Sequence, residues 1–184
     1  FESGQCRKFI AISEMVKEDI LRHYHCPPEN ISVVYNGVDL QRFNPENKDK
    51  YRKNIRKELD IPENSTLIIF VGSGFERKGL KYLLQATKFL HSEDWRLLIM
   101  GKGKWHQYLQ FAPENLRSRI IYKEPVPEIE KYYSAADIFV LPSIYEPFGN
   151  ANLEALATGL PVITTRHCGA ADIIQHKLNG LIVE

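Results

Sequence analysis

The chain has 184 residues, 43% of them hydrophobic, and its 24 Lys and Arg against 23 Asp and Glu leave a net charge of +1. That length suits one domain, or one domain plus a fragment, with enough apolar residues for a packed core. The near-neutral balance excludes nucleic acid as a global partner, and no apolar run approaches the length of a membrane span. Residues 1–5 do not read as a signal peptide, and without an initiating Met the chain is expected to be an excised segment.

Residues 9–13 read as a short strand, and Ser13 is placed to cap a helix reaching Tyr24, with Ile12, Val16 and Ile20 on one face. Pro27 and Pro28 interrupt that pattern, residues 31–34 form a second strand, and Tyr35-Asn36-Gly37-Val38-Asp39 breaks it again. The basic stretch 48–57 also contains Asp49 and reads as a solvated linker or helix. From about Asp60 strand and helix alternate, over 66–71, 79–91, 96–100, 104–111, 119–123, 127–135, 138–141, 149–158, 162–165, 170–176 and 181–183. Such alternation predicts an α/β fold with a parallel sheet and right-handed crossovers, whose ligands bind beyond the carboxyl ends of the strands.

Two segments at such ends carry chemistry. After the apolar strand 66–71, the turn Gly72-Ser73-Gly74-Phe75-Glu76-Arg77-Lys78-Gly79 sets two cations at the strand's edge. An Arg grips phosphate oxygens with parallel hydrogen bonds and a Lys adds a mobile point charge. The glycines do not complete a dinucleotide fingerprint, because position 77 is Arg, and Gly79 followed by Leu80 is no P-loop. The bland alternative is a solvated charge pair at a helix start, where cations are mildly unfavourable.

The second segment runs from the strand 138–141 through Pro142 and Ser143 into a helix ended by Gly159 and Pro161, with Leu153, Leu156 and Leu160 as its apolar stripe. Asn150 and Glu154 are four apart and share the face off that stripe. Backbone N–H groups at a helix start attract phosphate, a carboxylate one turn in can accept from sugar hydroxyls, and Glu146 in the preceding loop can reach past the phosphate. The site suits a nucleotide diphosphate sugar. Many α/β proteins also have a strand, a Glu-Pro loop and a Gly-bearing helix start, where an early Glu only complements the helix dipole. The loop Gly101-Lys102-Gly103-Lys104 can add charge nearby, and Lys123-Glu124-Pro125-Val126 is placed to frame a base.

Cys6, Cys26 and Cys168 are widely spaced, with no CxxC and no metal-ligand spacing to the histidines, so neither metal nor cofactor is expected and a reducing cytoplasm is inferred. His23 and His25 fit a solvated helix end, Trp95 and Trp105 fit packing, and His106 and His167 have no acid nearby in sequence to support a catalytic role.

At these residues the chain resembles the retaining glycosyltransferases built from two facing Rossmann-like domains, the GT-B fold. The string PSIYEPFGNANLEALATGLPVI resembles their Glu-x7-Glu signature, and TLIIFVGSGFERKGLKYLLQATKFL is a second matching segment, so that the likeness covers nearly the whole chain. The resemblance implies a doubly wound parallel sheet, the carboxy-terminal donor-binding domain of such an enzyme. It implies that residues 1–38 are the remnant of the amino-terminal acceptor domain and hinge, and that residues 39–184 bind the nucleotide sugar and are truncated at their end.

By the same resemblance Glu146 contacts the transferred sugar and Glu154 the ribose, while Phe148, Gly149 and Asn150 lie against sugar and diphosphate. Arg77 and Lys78 stabilise the departing diphosphate in place of a metal ion, Gly72 and Gly74 let it approach, and the loop at Val126 offers backbone groups to the base. Arg77 directly before Lys78, with His167-Cys168-Gly169, resembles the lipopolysaccharide core glucosyltransferase branch. That branch implies UDP-glucose as donor and a lipid-linked or saccharide acceptor, reached from the cytoplasm at the inner membrane face with peripheral contact at most.

The family usually carries two glycines and a Pro-Glu where this chain has Gly169-Ala170-Ala171-Asp172, which leaves a side-chain role at 171 or 172 open. Its catalytic His and acceptor pocket belong to the amino-terminal domain, so this chain is expected to bind donor weakly and transfer nothing. The competing reading is a noncatalytic nucleotide-binding or protein-interaction module, whose exposed strands at 1–38 invite a homodimer. A nucleotide-sugar epimerase of similar two-domain fold would need catalytic carboxylates and histidines that the chain does not supply.

Overall fold

The computed structural model describes residues 8–184, so Cys6 and the opening residues 1–5 lie outside it. Strand β1 (Phe9–Ala11), helix α1 (Glu14–His23) and strand β2 (Ile31–Val33) form a small unit whose two strands pair in parallel. Helix α2 (Asn47–Glu58) leads into six parallel strands: β3 (Thr66–Val71), β4 (Trp95–Met100), β5 (Ile120–Lys123), β6 (Ile138–Leu141), β7 (Val162–Thr165) and β8 (Gly180–Val183). Helices α3 (Leu80–Ala86), α4 (Ile129–Ala135) and α5 (Asn150–Ala157) connect them. The order is β5-β4-β3-β6-β7-β8, so the winding reverses between β3 and β6. That reversal opens a crevice at the carboxyl ends of β3 and β6, where both chemistry-bearing segments begin.

The central strands are mostly apolar because both sheet faces are covered: Leu67, Ile69, Phe70, Leu97, Leu98, Phe139 and Leu141 are fully buried. Among the described residues no helix is long and apolar enough to cross a membrane.

Several elements differ from their expected form. The basic stretch 48–57 lies in α2 and is not simply solvated, since Arg56 is only 3% exposed. Arg52 and Arg56 are four apart on one face, and both donate to the Ala135 carbonyl, at 2.9 and 3.0 Å, where α4 ends. Cations are drawn to the carbonyls that close a helix, so the face carrying Arg52 and Arg56 packs on α4, while Lys48, Lys50, Lys53 and Lys57 stay exposed as expected of a solvated helix.

The segment 79–91 becomes a short α3 followed by a 3-10 turn at Thr87–Phe89, because the Thr87 hydroxyl donates to the Leu84 carbonyl at 2.7 Å. The tighter turn leaves Leu90 41% exposed rather than on the buried stripe. Segments 104–111 and 170–176 are also 3-10, over Trp105–Phe111 and Gly169–Ile173. In α5 the buried positions are Asn152 and Ala155, with Leu153 and Leu156 half-buried on either side.

Gly79 joins the first loop to α3 in the left-handed region, at φ +73°, and a Cβ there would stand 1.8 Å from the Pro142 carbonyl oxygen. Only glycine allows the loops after β3 and β6 to touch at this point. Gly79→Ala is expected to destabilise the chain by about 2 kcal/mol or more, read as a lowered urea midpoint at unchanged slope.

Candidate functional site

The site is built from loops tied together by backbone hydrogen bonds. The Ile144 N–H donates to the Arg77 carbonyl at 2.8 Å, joining the loops after β6 and β3. The Lys102 N–H donates to Ser73 Oγ at 2.9 Å, joining the loop after β4. Glu146 is pinned on both sides: its N–H donates to the His167 carbonyl at 2.9 Å, and its carbonyl accepts from the Gly169 N–H at 2.9 Å.

Held in this way, the Glu146 carboxylate faces both cations of the first loop. Arg77 Nη1 lies 2.7 Å from Glu146 Oε2, and Lys78 Nζ pairs with the same oxygen. The Lys78 stem crosses Gly72, where an added Cβ would come within 3.3 Å of it. At the next corner Gly149, at φ +84°, precedes α5, and a Cβ there would be 2.8 Å from Asn152 Nδ2 and 3.0 Å from Glu146 Cγ. This glycine lets the helix start close against Glu146.

Glu154 sits one turn into α5. The fully buried Tyr133 of α4 donates from its hydroxyl to Glu154 Oε2 at 2.9 Å. Burial pushes the Glu154 carboxyl above its ordinary range, opposed by the Tyr133 hydrogen bond and the Arg42 charge. Burial likewise pushes the Cys168 thiol up; its Sγ lies 3.2 Å from the Phe148 carbonyl. That keeps it a packing thiol rather than a nucleophile.

A cleft of about 380 Å³ gathers Gly72, Lys78, Glu146, Gly149, Asn150 and Glu154, with Phe148 in its wall. A second pocket of about 120 Å³ shares Val71, Gly72 and Ser73 with it and is closed by Pro125, Val126 and Ile129. Of the expected site residues, two stand apart. Arg77, with Gly74, lines a neighbouring groove with Lys102 and Lys104, and meets the cleft through Glu146. A larger groove of about 810 Å³ beside α3 is lined by Tyr82, Leu83, Ile163 and Val183. It is mostly apolar and has no Lys or Arg in its lining to hold a phosphate.

Two residues, Tyr133 and Asn36, and one further contact of Ser13 escaped the sequence reading. Tyr133 lay in a helix where an aromatic reads as packing. Asn36 donates from Nδ2 to Asn150 Oδ1 at 2.7 Å and lines the cleft from the small unit. Ser13, expected only as a cap, accepts from the Val16 N–H and also donates to the Pro147 carbonyl at 2.7 Å. Apart from the Ser13 cap, none of these partnerships has a signal in local spacing.

The glycosyl transferases group 1 model matches residues 51–184, and the glycosyltransferase family 4 model matches residues 2–42. The chain is 32% identical over 179 residues to an uncharacterized glycosyltransferase of Methanocaldococcus jannaschii, covering 95% of the chain and 46% of that protein. It is 28% identical over 187 residues to the lipopolysaccharide glucosyltransferase WaaG of Escherichia coli strain K12, covering 100% of the chain and 50% of WaaG. A crystal structure of WaaG matches with a TM-score of 0.88, again over 100% of this chain and 50% of that one. Anabaena HepE in complex with UDP-glucose shares the fold, with a TM-score of 0.80 at 22% identity over 96% of this chain and 50% of that one. The chain spans about half the length of the curated relatives it matches. Its sheet is of the kind that forms the carboxy-terminal half of GT-B glycosyltransferases. With 51–184 matched by a single family model, the chain belongs to the glycosyl transferases group 1.

Proposed function

We propose that this chain is the donor-binding half of a metal-independent retaining glycosyltransferase that moves glucose from UDP-glucose to a lipid-linked or saccharide acceptor. The observation that carries this reading is the meeting of Lys78, Glu146, the opening of α5 and Glu154 in one cleft, beside the small pocket at Val126. The pyrophosphate would lie between Lys78 and the first turn of α5, where an ammonium and helix N–H groups both favour negative charge. As the bond to the anomeric carbon breaks, Lys78 and Arg77 would stabilise the oxygen that leaves.

Glu146 already pairs with both cations and leaves the cluster one positive charge in excess, so an arriving diphosphate competes for them and turns the carboxylate toward the sugar hydroxyls. Phe148, Gly149 and Asn150 would shape the sugar and phosphate wall, with Gly72 and Gly74 allowing close approach. Glu154 would accept from the ribose. The pocket at Val126 would take the base, and UDP-glucose is the ligand of Anabaena HepE, which shares the fold. Glucose is the sugar named for WaaG.

The family 4 match over residues 2–42 supports assigning residues 1–38 to the amino-terminal domain and hinge, and residues 39–184 to the donor domain. The acceptor site and the catalytic His then belong to the rest of the relatives' length, and the 184 residues alone should bind UDP without transferring sugar. The work would be done in the cytoplasm, with peripheral contact at the inner membrane face.

The test is a titration of the chain with UDP, ADP and GDP followed by amide chemical shifts. UDP should shift residues 72–79 and 150–154. Self-association with no response to any nucleotide would instead favour a noncatalytic interaction module.

A further inference from the structure

We infer that Tyr133 is a positioning residue for ribose recognition: its buried hydroxyl locks Glu154 as a hydrogen-bond acceptor for the 2′- and 3′-hydroxyls of the nucleotide. The inference rests on the reading of Glu154 as the ribose partner. It adds a residue outside the cleft lining that decides whether that carboxylate can act.

The geometry is specific. The Tyr133 ring has no exposed surface and is wedged edge-on to Phe43 at 5.9 Å and against Phe139 at 5.8 Å, so the hydroxyl cannot swing away. Its one proton has two acceptors in reach, Glu154 Oε2 at 2.9 Å and the Ala151 carbonyl at 3.4 Å. With Glu154 ionised, the shorter and charge-assisted bond wins. Glu154 Oε2 is then occupied from behind, and among the described residues Oε1 has no partner and is left for the cleft. A protonated Glu154 would release the Tyr133 proton to Ala151 and lose its aim.

The charged and titratable groups around Glu154 set the balance. Arg42, from the loop before α2, favours the carboxylate, whereas Glu130 of α4 disfavours it. Arg42 is itself bound to Glu130, Nε to Oε2 at 2.8 Å, which blunts both. Lys78 and Glu146 share the cleft and are paired with each other. Burial pushes the Glu154 carboxyl up, and the Tyr133 hydrogen bond does most to hold it down. Removing that bond raises the carboxyl further, so its charge, and ribose recognition with it, should appear only at higher pH.

The experiment compares wild type with Tyr133→Phe by calorimetry from mildly acid to mildly alkaline pH. The probe is whichever of UDP, ADP and GDP binds tightest, set against its 2′-deoxy counterpart. Wild type should prefer the ribonucleotide about ten-fold, the effect of an unmatched acceptor in a built site. Tyr133→Phe should lose most of that preference at pH values where wild type keeps it, and recover it only at higher pH.

A variant that weakens ribo and deoxy ligands equally, at every pH, overturns the inference and leaves a packing role only. No ribo preference in wild type overturns it through Glu154, and no nucleotide binding at all overturns the donor-site reading itself. Should the Phe variant fail to fold, 3-fluorotyrosine at position 133, a stronger donor, should move the midpoint of the preference to lower pH. An unmoved midpoint overturns the inference.

Discussion

Asp137→Ala is expected to cost about 3 kcal/mol or more of folding stability, because it leaves a buried guanidinium without its counter-charge. Asp137 follows α4 and receives three donors: Arg52 at 2.7 Å on Oδ1, Arg56 at 3.2 Å and the Leu67 N–H at 2.8 Å on Oδ2. Arg56 also donates to the carbonyls of Ala135 at 3.0 Å and Pro62 at 3.1 Å and to that of Ser65, but these are neutral acceptors. Its Nε is buried without a hydrogen-bond partner, and Glu63 acts on it only through its charge, with no ion pair between them among the described residues. The same change strips the acceptor from an N–H at the start of β3, adding the cost of an unsatisfied donor.

The pH dependence has a definite sign. Burial alone would push the Asp137 carboxyl up, but the Leu67 N–H and the two guanidinia outweigh it and hold the carboxyl below its ordinary value. A folded value below the unfolded one, about 3.9, gives stability that is complete above that pH and is lost as pH falls through the folded value. Urea midpoints followed downward from neutral pH should therefore drop in wild type below about pH 4 and converge on those of Asp137→Ala. A loss at neutral pH under about 1 kcal/mol would place the pair among exposed ion pairs of little consequence.

The sheet was legible because its strands are continuous apolar runs: 66–71 and 138–141 coincide with β3 and β6, and 96–100 differs from β4 only by Trp95. Segments such as 104–111 were not, since apolar spacing over two turns fits a 3-10 helix as well as an α-helix, and Gly103 and Pro113 allow no extension that would decide it. Within the site, Lys78 and Glu146 could be read because each stands in a loop at a strand's carboxyl end. Their pairing came from the strand order, which makes β3 and β6 neighbours.

Tyr133 and Glu154 are 21 residues apart on different helices, and no spacing rule joins them. Arg52 and Arg56 did carry a signal, a four-residue interval within a basic run. Their partners, Ala135 and Asp137, lie roughly eighty residues away and emerge only once α2 and α4 are packed.

Lys78→Ala is expected to lower kcat/KM about 10²–10³-fold in an enzyme carrying both domains, while Arg77→Ala lowers it about ten-fold. Both cations meet the same carboxylate oxygen, so the difference must come from position. The Lys78 side chain is 12% exposed, lies over Gly72 and lines the cleft that holds Asn150 and Glu154. The Arg77 side chain is 49% exposed and lines the adjoining groove. An ammonium removed from a dry, shaped site takes with it charge stabilisation that water cannot restore, whereas a half-hydrated guanidinium is partly replaced by solvent.

Glu146→Gln separates the two jobs of this cluster. It frees both cations from the carboxylate they share, so the chain should bind UDP several-fold more tightly at low salt, with the gain shrinking as salt is added. Transfer by the whole enzyme should fall, because the sugar loses its charged acceptor. Calorimetry on the chain and initial rates on the full enzyme measure the two effects independently. Equal losses for Lys78→Ala and Arg77→Ala, or weaker UDP binding by Glu146→Gln, would mean that the pyrophosphate does not lie between Lys78 and the start of α5.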